Sequence, residues 1–225
     1  MTEGEAGGMG LREIDTAAGP EGVDVRDVGR SWEVLDSRER FRARVISVRT
    51  DGVRMPENEV VDRDYVIHPG SVGVLVLDDD GRVLLIRQYR HPVRHLLWEI
   101  PAGLRDVDGE SLLANAKREL AEEAGYRAST WHTLLDTYVT PGVSDERIRV
   151  FLARGPEPIP DEENSFQRRH EEIDMPVVWL PLHEAVRRVL GGLIHNSTAI
   201  AGILAAYAAS ADGFAGLRPA DAPEA

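Results

Sequence analysis

Apolar runs in the first two thirds of the chain predict most of its strands. Residues 71–77 are almost continuously apolar, which is typical of a buried strand, and Asp80 with Gly81 predicts a turn into a partner strand at residues 82–90. Further strands are predicted at residues 41–49, at a short segment up to Met55 after a turn at residues 50–52, and at residues 60–67, 131–139, 148–153 and 176–180.

Three stretches have the spacing of helices. In residues 110–124 apolar side chains recur every three or four positions, and Gly125 stands where a helix often ends. The other two are residues 182–190 and residues 197–209, the latter with Asn196 or Ser197 as its N-cap. Because strands and helices alternate, we predict an α/β (α+β) fold in which helices cover both sides of a mixed β-sheet.

The two ends of the chain differ from its middle. Residues 1–30 are rich in Gly, Ala and acidic side chains, and residues 211–225 have a similar composition, so both are expected to be mobile. Between them, residues 31–67 predict a small N-terminal β appendage, and residues 68–210 predict the main domain.

Composition narrows the possible functions. With no cysteine among 225 residues, disulfide scaffolds, thiolate zinc sites and cysteine nucleophiles are excluded. The N-terminus is unlike a secretory signal, and the longest apolar stretch, residues 198–209, is shorter than the roughly 20 residues that span a bilayer, so we expect a cytoplasmic protein without membrane contact. A formal net charge of -13 disfavours nucleic acid as a partner, and any polyanionic substrate would need local positive charge.

Three glutamates cluster on the first predicted helix. At about 100° per residue, Glu119 and Glu123 lie roughly 40° apart on one face, with Glu122 roughly 60° to the other side of Glu119. Such like-charge neighbours destabilise a helix by roughly 0.2–0.5 kcal/mol each, which a hard divalent cation such as Mg²⁺ would offset. For these three residues alone, a solvated acidic face is favoured over a metal site by roughly 3 to 1.

The wider register around these glutamates favours the cation. Gly103, Glu110, Arg118, Glu119, Leu120, Glu122, Glu123 and Gly125 stand in a fixed pattern that resembles the Nudix hydrolase signature, with two departures. Six residues instead of five separate Gly103 from Glu110, and Tyr126 occupies the last apolar position.

The resemblance implies roles for the residues of this pattern. Glu119, Glu123 and the backbone carbonyl of Ala102 would bind Mg²⁺, with Mn²⁺ as a possible substitute, and Glu122 would belong to the same catalytic cluster. Gly103 and Gly125 would be structural residues of the pattern. Glu110 and Arg118 would pair to brace the loop against the helix, although a metal contact by Glu110 stays open.

Segments outside this pattern resemble the ADP-ribose pyrophosphatase branch of the family, in particular its actinobacterial members. They are residues 88–92, 97–103, 141–147 and 170–174. The branch implies that Arg90 contacts a diphosphate, that Glu146 lies near the terminal ribose, and that Glu172 is the catalytic base and a metal contact, with Glu171 the next candidate. In addition, Trp98 is a candidate for stacking on adenine.

Each of these roles has a simpler alternative. Arg90 can pair with a carboxylate, Glu146 can bond within its turn, Glu171 and Glu172 can be solvated, and Trp98 can belong to the core. One position departs from the branch, because Ile67 stands where relatives often carry an acidic residue facing the nucleoside.

The resemblance implies a magnesium-dependent hydrolase that cleaves ADP-ribose to AMP and ribose 5-phosphate. Hydrolysis of another nucleoside-diphosphate derivative, such as a nucleotide-sugar or a dinucleotide, stays open, as does a non-catalytic ADP-ribose sensor. The branch further implies a homodimer in which the N-terminal β segment is exchanged between subunits.

Overall fold

The computed structural model of the chain describes residues 25–160, 162 and 175–224. In chain order, these residues form β1 (Val34–Arg42), β2 (Ser47–Arg54), β3 (Val60–Ile67), β4 (Ser71–Leu77), β5 (Arg82–Arg90), β6 (His95–Glu99), β7 (Ala102–Leu104), α1 (Leu112–Glu119), β8 (Tyr126–Tyr138), β9 (Arg147–Pro158), β10 (Val177–Pro181), α2 (Leu182–Leu190), α3 (Ser197–Ser210) and β11 (Arg218–Pro219). A π-helical turn, Leu120–Ala124, continues α1.

The strands of the described residues form two sheets. A three-stranded antiparallel sheet contains β1, β2 and β3 in that order. The second sheet runs in the order β10, β5, β4, β9, β8 and β11, with β6 beside β5 and β7 beside β4. Its central strands β4 and β9 are parallel and the other pairs are antiparallel, so the predicted mixed sheet is confirmed.

The buried strand β4 separates two layers of core. Because side chains alternate along a strand, Val72, Val74 and Val76 face α1, whereas Leu75 and Leu77 face α2 and α3. All seven residues of β4 are buried, as its apolar run predicts. Helices therefore cover both sides of the sheet, which confirms the predicted architecture.

The predicted strand at residues 41–49 was wrong, because it spans the turn between β1 and β2. The Ala43 N–H donates to the Ile46 carbonyl over 2.8 Å and closes this turn. Residues 50–52, predicted as a turn, lie inside β2, which pairs with strands on both sides. Gly52 allows close approach there, because a Cβ on it would overlap the Asp36 carboxylate of β1.

The prediction of a mobile C-terminal tail was also wrong for residues 211–224. β11 pairs with β8, and the Thr133 hydroxyl donates to the Pro219 carbonyl over 3.0 Å. The guanidinium of Arg149, which is 3% exposed, donates to the carbonyls of Ala222 and Pro223 over 2.5 and 2.9 Å. The composition of the tail does not indicate this role, because the guanidinium that its carbonyls accept from belongs to Arg149 in β9.

Deleting residues 218–225 is expected to lower the free energy of unfolding by about 2–4 kcal/mol, because Arg149 would lose two charge-assisted hydrogen bonds. Urea denaturation followed by circular dichroism measures the loss. Arg218→Met is the matched control, since it removes an ion pair with Asp136 but keeps the backbone of the tail. Equal stability of the deletion and the intact chain would show that the tail contributes nothing.

Among the described residues, no helix combines the length and apolar character needed to cross a membrane.

Candidate active site

The helix that carries the acidic cluster begins and ends at clear signals. The Ser111 hydroxyl accepts a hydrogen bond from the Ala114 N–H over 3.2 Å, so α1 begins one residue later, at Leu112, and not at Glu110 as predicted. Gly125 ends the helical segment with a left-handed φ of 73°. Both ends therefore fix the register of the glutamates between them.

The second half of this segment is a π-helical turn and not α-helix. The Gly125 N–H donates to the carbonyls of Ala121 and Leu120, the latter five residues earlier. Single π-turns of this kind are frequent at functional sites. Glu119 directly precedes this turn and Glu123 lies within it, and both side chains are buried, at 9% and 6% exposure.

Glu119 lies directly against the backbone of Gly103. A Cβ at residue 103 would overlap the Glu119 carboxyl group, so only glycine permits this contact. Burial raises the pKa of Glu119 to about 7; the Arg118 guanidinium acts in the opposite direction, and the Glu122 carboxylate adds to the rise. The fold therefore holds this carboxyl group where its charge is costly without further compensation.

Arg118 donates hydrogen bonds to four acidic and amide side chains of the site. Its guanidinium donates to both carboxylate oxygens of Glu110 over 3.2 and 3.1 Å, which ties the loop to the helix. It also donates to Glu119 over 2.8 Å and to Glu122 over 3.2 Å. Its fourth hydrogen-bond partner is Asn115, at 3.4 Å. These acidic partners raise the pKa of Arg118, with the Glu110 hydrogen bond the largest cause.

Glu123 contacts the strand β7. Its Oε2 accepts a hydrogen bond from the Ala102 N–H over 2.8 Å. The sequence pointed to the Ala102 carbonyl, and the structure brings the two residues together through the amide. Glu119 and Glu123 thus both lie against β7, one beside Gly103 and the other beside Ala102.

Glu119 gives the metal-free protein a defined pH dependence. Because its folded pKa of about 7 lies above its ordinary value of 4.5, its contribution to stability is lost as the pH rises from about 4.5 through 7. We expect Glu119→Gln to remove this loss. Urea denaturation of both proteins in EDTA at pH 5 and pH 7.5 measures it, and the variant must gain stability relative to wild type at the higher pH. A difference that is constant with pH would contradict the assignment.

A cleft of about 500 Å³ lies on the α3 side of β7 and receives two of the predicted substrate-binding residues, Arg90 and Glu146. Its other lining residues are His68, Ser71, Pro92, Val93, Leu97, Glu99, Ile100, Ala102, Gly103, Leu104, Val139, Ile148, His195, Asn196, Ser197 and Thr198. Because Ala102 and Gly103 also contact the buried glutamates, β7 joins the cleft to the acidic cluster.

Arg90 is oriented by a carboxylate that the sequence interpretation missed. Its guanidinium donates to both oxygens of Glu99 over 2.9 and 2.7 Å, and Glu99 is 2% exposed. A lone acid inside the apolar 97–100 segment was the available signal, because a buried carboxylate needs a cationic partner. Glu146 lies on a wall of the same cleft, with its Oε1 3.7 Å from His68 Nδ1.

Trp98, the candidate for stacking on adenine, does not line this cleft. Side chains alternate along β6, so Leu97 and Glu99 face the cleft while Trp98 faces a separate apolar cavity of about 350 Å³ beside Trp179. The Arg87 guanidinium lies 5.3 Å from the centre of the Trp98 ring. The alternative reading of Trp98 as a core residue therefore agrees with the structure.

The two candidates for the catalytic base, Glu171 and Glu172, lie outside the described residues. Within residues 25–160 and 175–224, no three histidine or acidic side chains converge on a common point. Glu119, Glu122 and Glu123 are instead turned toward Arg118 and the Ala102 amide.

Comparisons with known proteins show which family the chain resembles. A family model described as the NUDIX domain matches residues 67–197. An ADP-ribose pyrophosphatase of Mycobacterium tuberculosis is 45% identical over 190 residues, covering 84% of this chain and 89% of its own. An ADP-ribose pyrophosphatase of Bacillus subtilis is 34% identical over 153 residues, covering 66% of this chain and 78% of its own. A solved structure described as an ADP compounds hydrolase aligns with a TM-score of 0.66 at 20% identity, over 84% of this chain and 99% of its own, and so supports the fold alone.

Proposed function

We propose that this chain, which belongs to the NUDIX domain family, is a pyrophosphohydrolase that splits ADP-ribose into AMP and ribose 5-phosphate. The observation that carries this proposal is the pair of buried carboxylates, Glu119 and Glu123, held against the strand that also forms a wall of the cleft. The similarity to the Mycobacterium tuberculosis ADP-ribose pyrophosphatase supports the choice of substrate.

Nudix hydrolases generally use a divalent metal ion, and the residues present fit one. Glu119 is a buried carboxyl group with a raised pKa beside a second acid, Glu122, so a hard cation would relieve a charge that the fold leaves costly. Glu119, Glu123 and the Ala102 carbonyl would hold the ion, with Glu122 and Glu172 beside it, and Mg²⁺ is the first candidate, Mn²⁺ the second. Such an ion, when bound, withdraws charge from a diphosphate.

The chain's own residues would position the substrate and the water. Arg90, held in place by Glu99, faces the cleft and would bind the diphosphate, while Glu146 would accept hydrogen bonds from the terminal ribose. Glu172, or Glu171 in its place, would take a proton from the water that attacks one phosphorus. The phosphoanhydride P–O bond then breaks, and the two phosphate monoesters leave.

A second candidate function is hydrolysis of another nucleoside-diphosphate derivative, such as a nucleotide-sugar or a dinucleotide. Ile67 favours this second candidate, because a side chain without hydrogen-bonding atoms stands where relatives often carry an acid that faces the nucleoside. A non-catalytic sensor of ADP-ribose is the weaker alternative, since a sensor has no need of the buried glutamates.

Product identification tests the function directly. The protein is incubated with Mg²⁺ or Mn²⁺ and ADP-ribose, NADH, a nucleotide-sugar or a dinucleoside polyphosphate, and the products are separated by anion exchange. AMP and ribose 5-phosphate formed fastest from ADP-ribose would support the proposal. Faster turnover of another substrate would favour the second candidate, and binding without any metal-dependent product would favour the sensor.

We further propose that the three-stranded sheet exchanges between two copies of the chain. All nine residues of β1 are exposed, and they include the large apolar side chains of Val34, Leu35 and Phe41. This sheet has hydrogen bonds to the main domain around Val66, through the backbone of Val143 and Asp145. Since a small isolated sheet is marginally stable, a second copy is the fitting partner for its exposed face.

The dimer is tested by light scattering after size exclusion. Phe41→Asp is expected to shift the protein from dimer to monomer, because it would bury a charge in the contact. Leu190→Asp, an equally drastic change at an exposed site of α2, is the matched control. A wild-type monomer, or an unchanged dimer in the Phe41 variant, would contradict the exchange.

The cytoplasmic location and the absence of a nucleic-acid partner stay predictions from the sequence. Cell fractionation tests the first. Electrophoretic mobility of labelled DNA and RNA in the presence of the protein tests the second.

A further inference from the structure

Ser71, the first residue of β4, lies in the floor of the cleft with a buried hydroxyl group. The residue is 8% exposed, and its strand neighbours, Leu104 of β7 and Ile148 of β9, also line the cleft. Within the described part of the chain, its Oγ has no hydrogen-bond partner. Native proteins keep few such groups, because an unpaired buried hydroxyl destabilises the fold. Because this hydroxyl group lies at the cleft, its position indicates contact with a ligand, which packing alone does not explain.

The first turn of α3 meets the same part of the cleft. The Asn196 side chain accepts from the Ala199 N–H over 2.9 Å, so this cap does not engage the first two amides of the helix, those of Ser197 and Thr198. These two residues line the cleft together with Ser71. The end of a 14-residue helix therefore presents donors and a partial positive charge there.

A glycine brings the helix this close to the strand. A Cβ on Gly73, two residues after Ser71 on the same face of β4, would lie 3.1 Å from the Thr198 Cγ2 atom. A larger residue would push the start of α3 away from the floor. The close approach of β4 and α3 thus places a hydroxyl and helix amides side by side.

The charges around this floor select the kind of ligand. Glu146 on the wall brings a carboxylate, which repels a phosphate but accepts hydrogen bonds from hydroxyl groups. Arg90 lines the same cleft and is paired with the Glu99 carboxylate of β6. Donors on the floor and an acceptor on the wall suit a neutral sugar, because each sugar hydroxyl both donates and accepts.

We infer that Ser71 and the first turn of α3 extend the subsite proposed for the terminal ribose beside Glu146, and that Ser71 determines specificity for this sugar. This inference rests on the proposed hydrolase function. In the complex, the Ser71 hydroxyl and the Ser197 and Thr198 amides hydrogen-bond sugar hydroxyl groups, and Glu146 accepts from a neighbouring hydroxyl. The subsite thus distinguishes a diphosphate that carries a sugar from one that ends at the phosphate.

Ser71→Ala tests the hydroxyl. Dissociation constants for ADP-ribose and for ADP are measured by calorimetry in EDTA, with Ser129→Ala, whose hydroxyl bonds the Arg154 carbonyl away from the cleft, as matched control. We expect Ser71→Ala to weaken ADP-ribose binding roughly three- to tenfold, to leave ADP binding unchanged, and to keep or raise the melting temperature. The KM for ADP-ribose must rise by a similar factor.

Ser197→Pro tests the helix amide separately. Proline at the first helical position removes that N–H yet suits the helix, and the extended Asn196 before it, at φ -67° and ψ 121°, tolerates it. We expect this variant to bind ADP-ribose more weakly than wild type, by roughly threefold or more, while the Ser129→Ala control binds it as wild type does.

The outcomes separate this subsite from the proposed function. Unchanged ADP-ribose binding in Ser71→Ala, as a structural or water-bonded hydroxyl would give, overturns the subsite even if wild type releases AMP. Equal weakening of ADP and ADP-ribose assigns Ser71 to the nucleoside and also overturns it. A wild type that binds ADP-ribose with the expected Ser71 dependence but yields no metal-dependent product overturns the hydrolase and leaves the subsite.

Discussion

Glu123→Gln is expected to lower the turnover of ADP-ribose by roughly 100- to 1,000-fold while the protein stays folded. The substitution keeps the shape of the side chain and an oxygen that can accept from the Ala102 N–H, so the 2.8 Å hydrogen bond to β7 is preserved. It removes the negative charge that would face a divalent cation. The loss therefore falls on the chemistry and on the metal requirement, and only slightly on the fold.

Steady-state kinetics over a range of Mg²⁺ concentrations, together with the melting temperature, measure these effects. Glu157→Gln, a change of the same type at an exposed position of β9, is the control and should behave as wild type. A Glu123→Gln protein with near wild-type turnover would remove Glu123 from the site and leave Glu119 and Glu122 as the candidates for the metal.

Gly103→Ala should be almost as damaging, with a turnover loss of roughly 100-fold. A Cβ on residue 103 would occupy the position of the Glu119 carboxyl group, so either this side chain or β7 must move. Both belong to the proposed site, because β7 also lines the cleft. A single methyl group thus tests whether the contact between strand and helix sets the geometry of the reaction.

The control for this change is Gly142→Ala, since a Cβ at residue 142 meets nothing within 4 Å. Turnover, KM and urea denaturation are compared for both variants. The expected result is a large fall in kcat for Gly103→Ala with a smaller loss of stability, and no change for Gly142→Ala. Normal kcat in Gly103→Ala would show that Glu119 can move without consequence.

Periodicity predicted the parts of the fold in which one side chain pattern decides the structure. The bounds of β3, β4, β5 and α2 agree with the predicted segments, and in β4 and the first half of β5 the apolar residues are buried together. The turn between β1 and β2 was missed for the opposite reason. All of β1 is exposed, so no apolar pattern records where this strand ends.

The acidic site was predictable from the register of residues, but its contacts were not. The spacing of Glu119 and Glu123 indicated a cluster, yet the π-helical turn between them depends on how Gly125 and the following strand pack. The pairing of Arg90 with Glu99 and the position of Trp98 beside another cavity depend on which face of β6 is turned to the cleft. A short strand of mixed composition does not reveal that choice.

The parallel pairing of β4 and β9 has a consequence for how the molecule folds. Ser71 pairs with Ile148, 77 positions later, so this contact must close a long loop, whereas the hairpins on either side form locally. The strand β7, the helix α1 and the whole of β8 lie within that loop. We therefore expect the cleft and the acidic cluster to assume their final arrangement only after β9 has docked, so that the candidate site is one of the last regions to be ordered during folding.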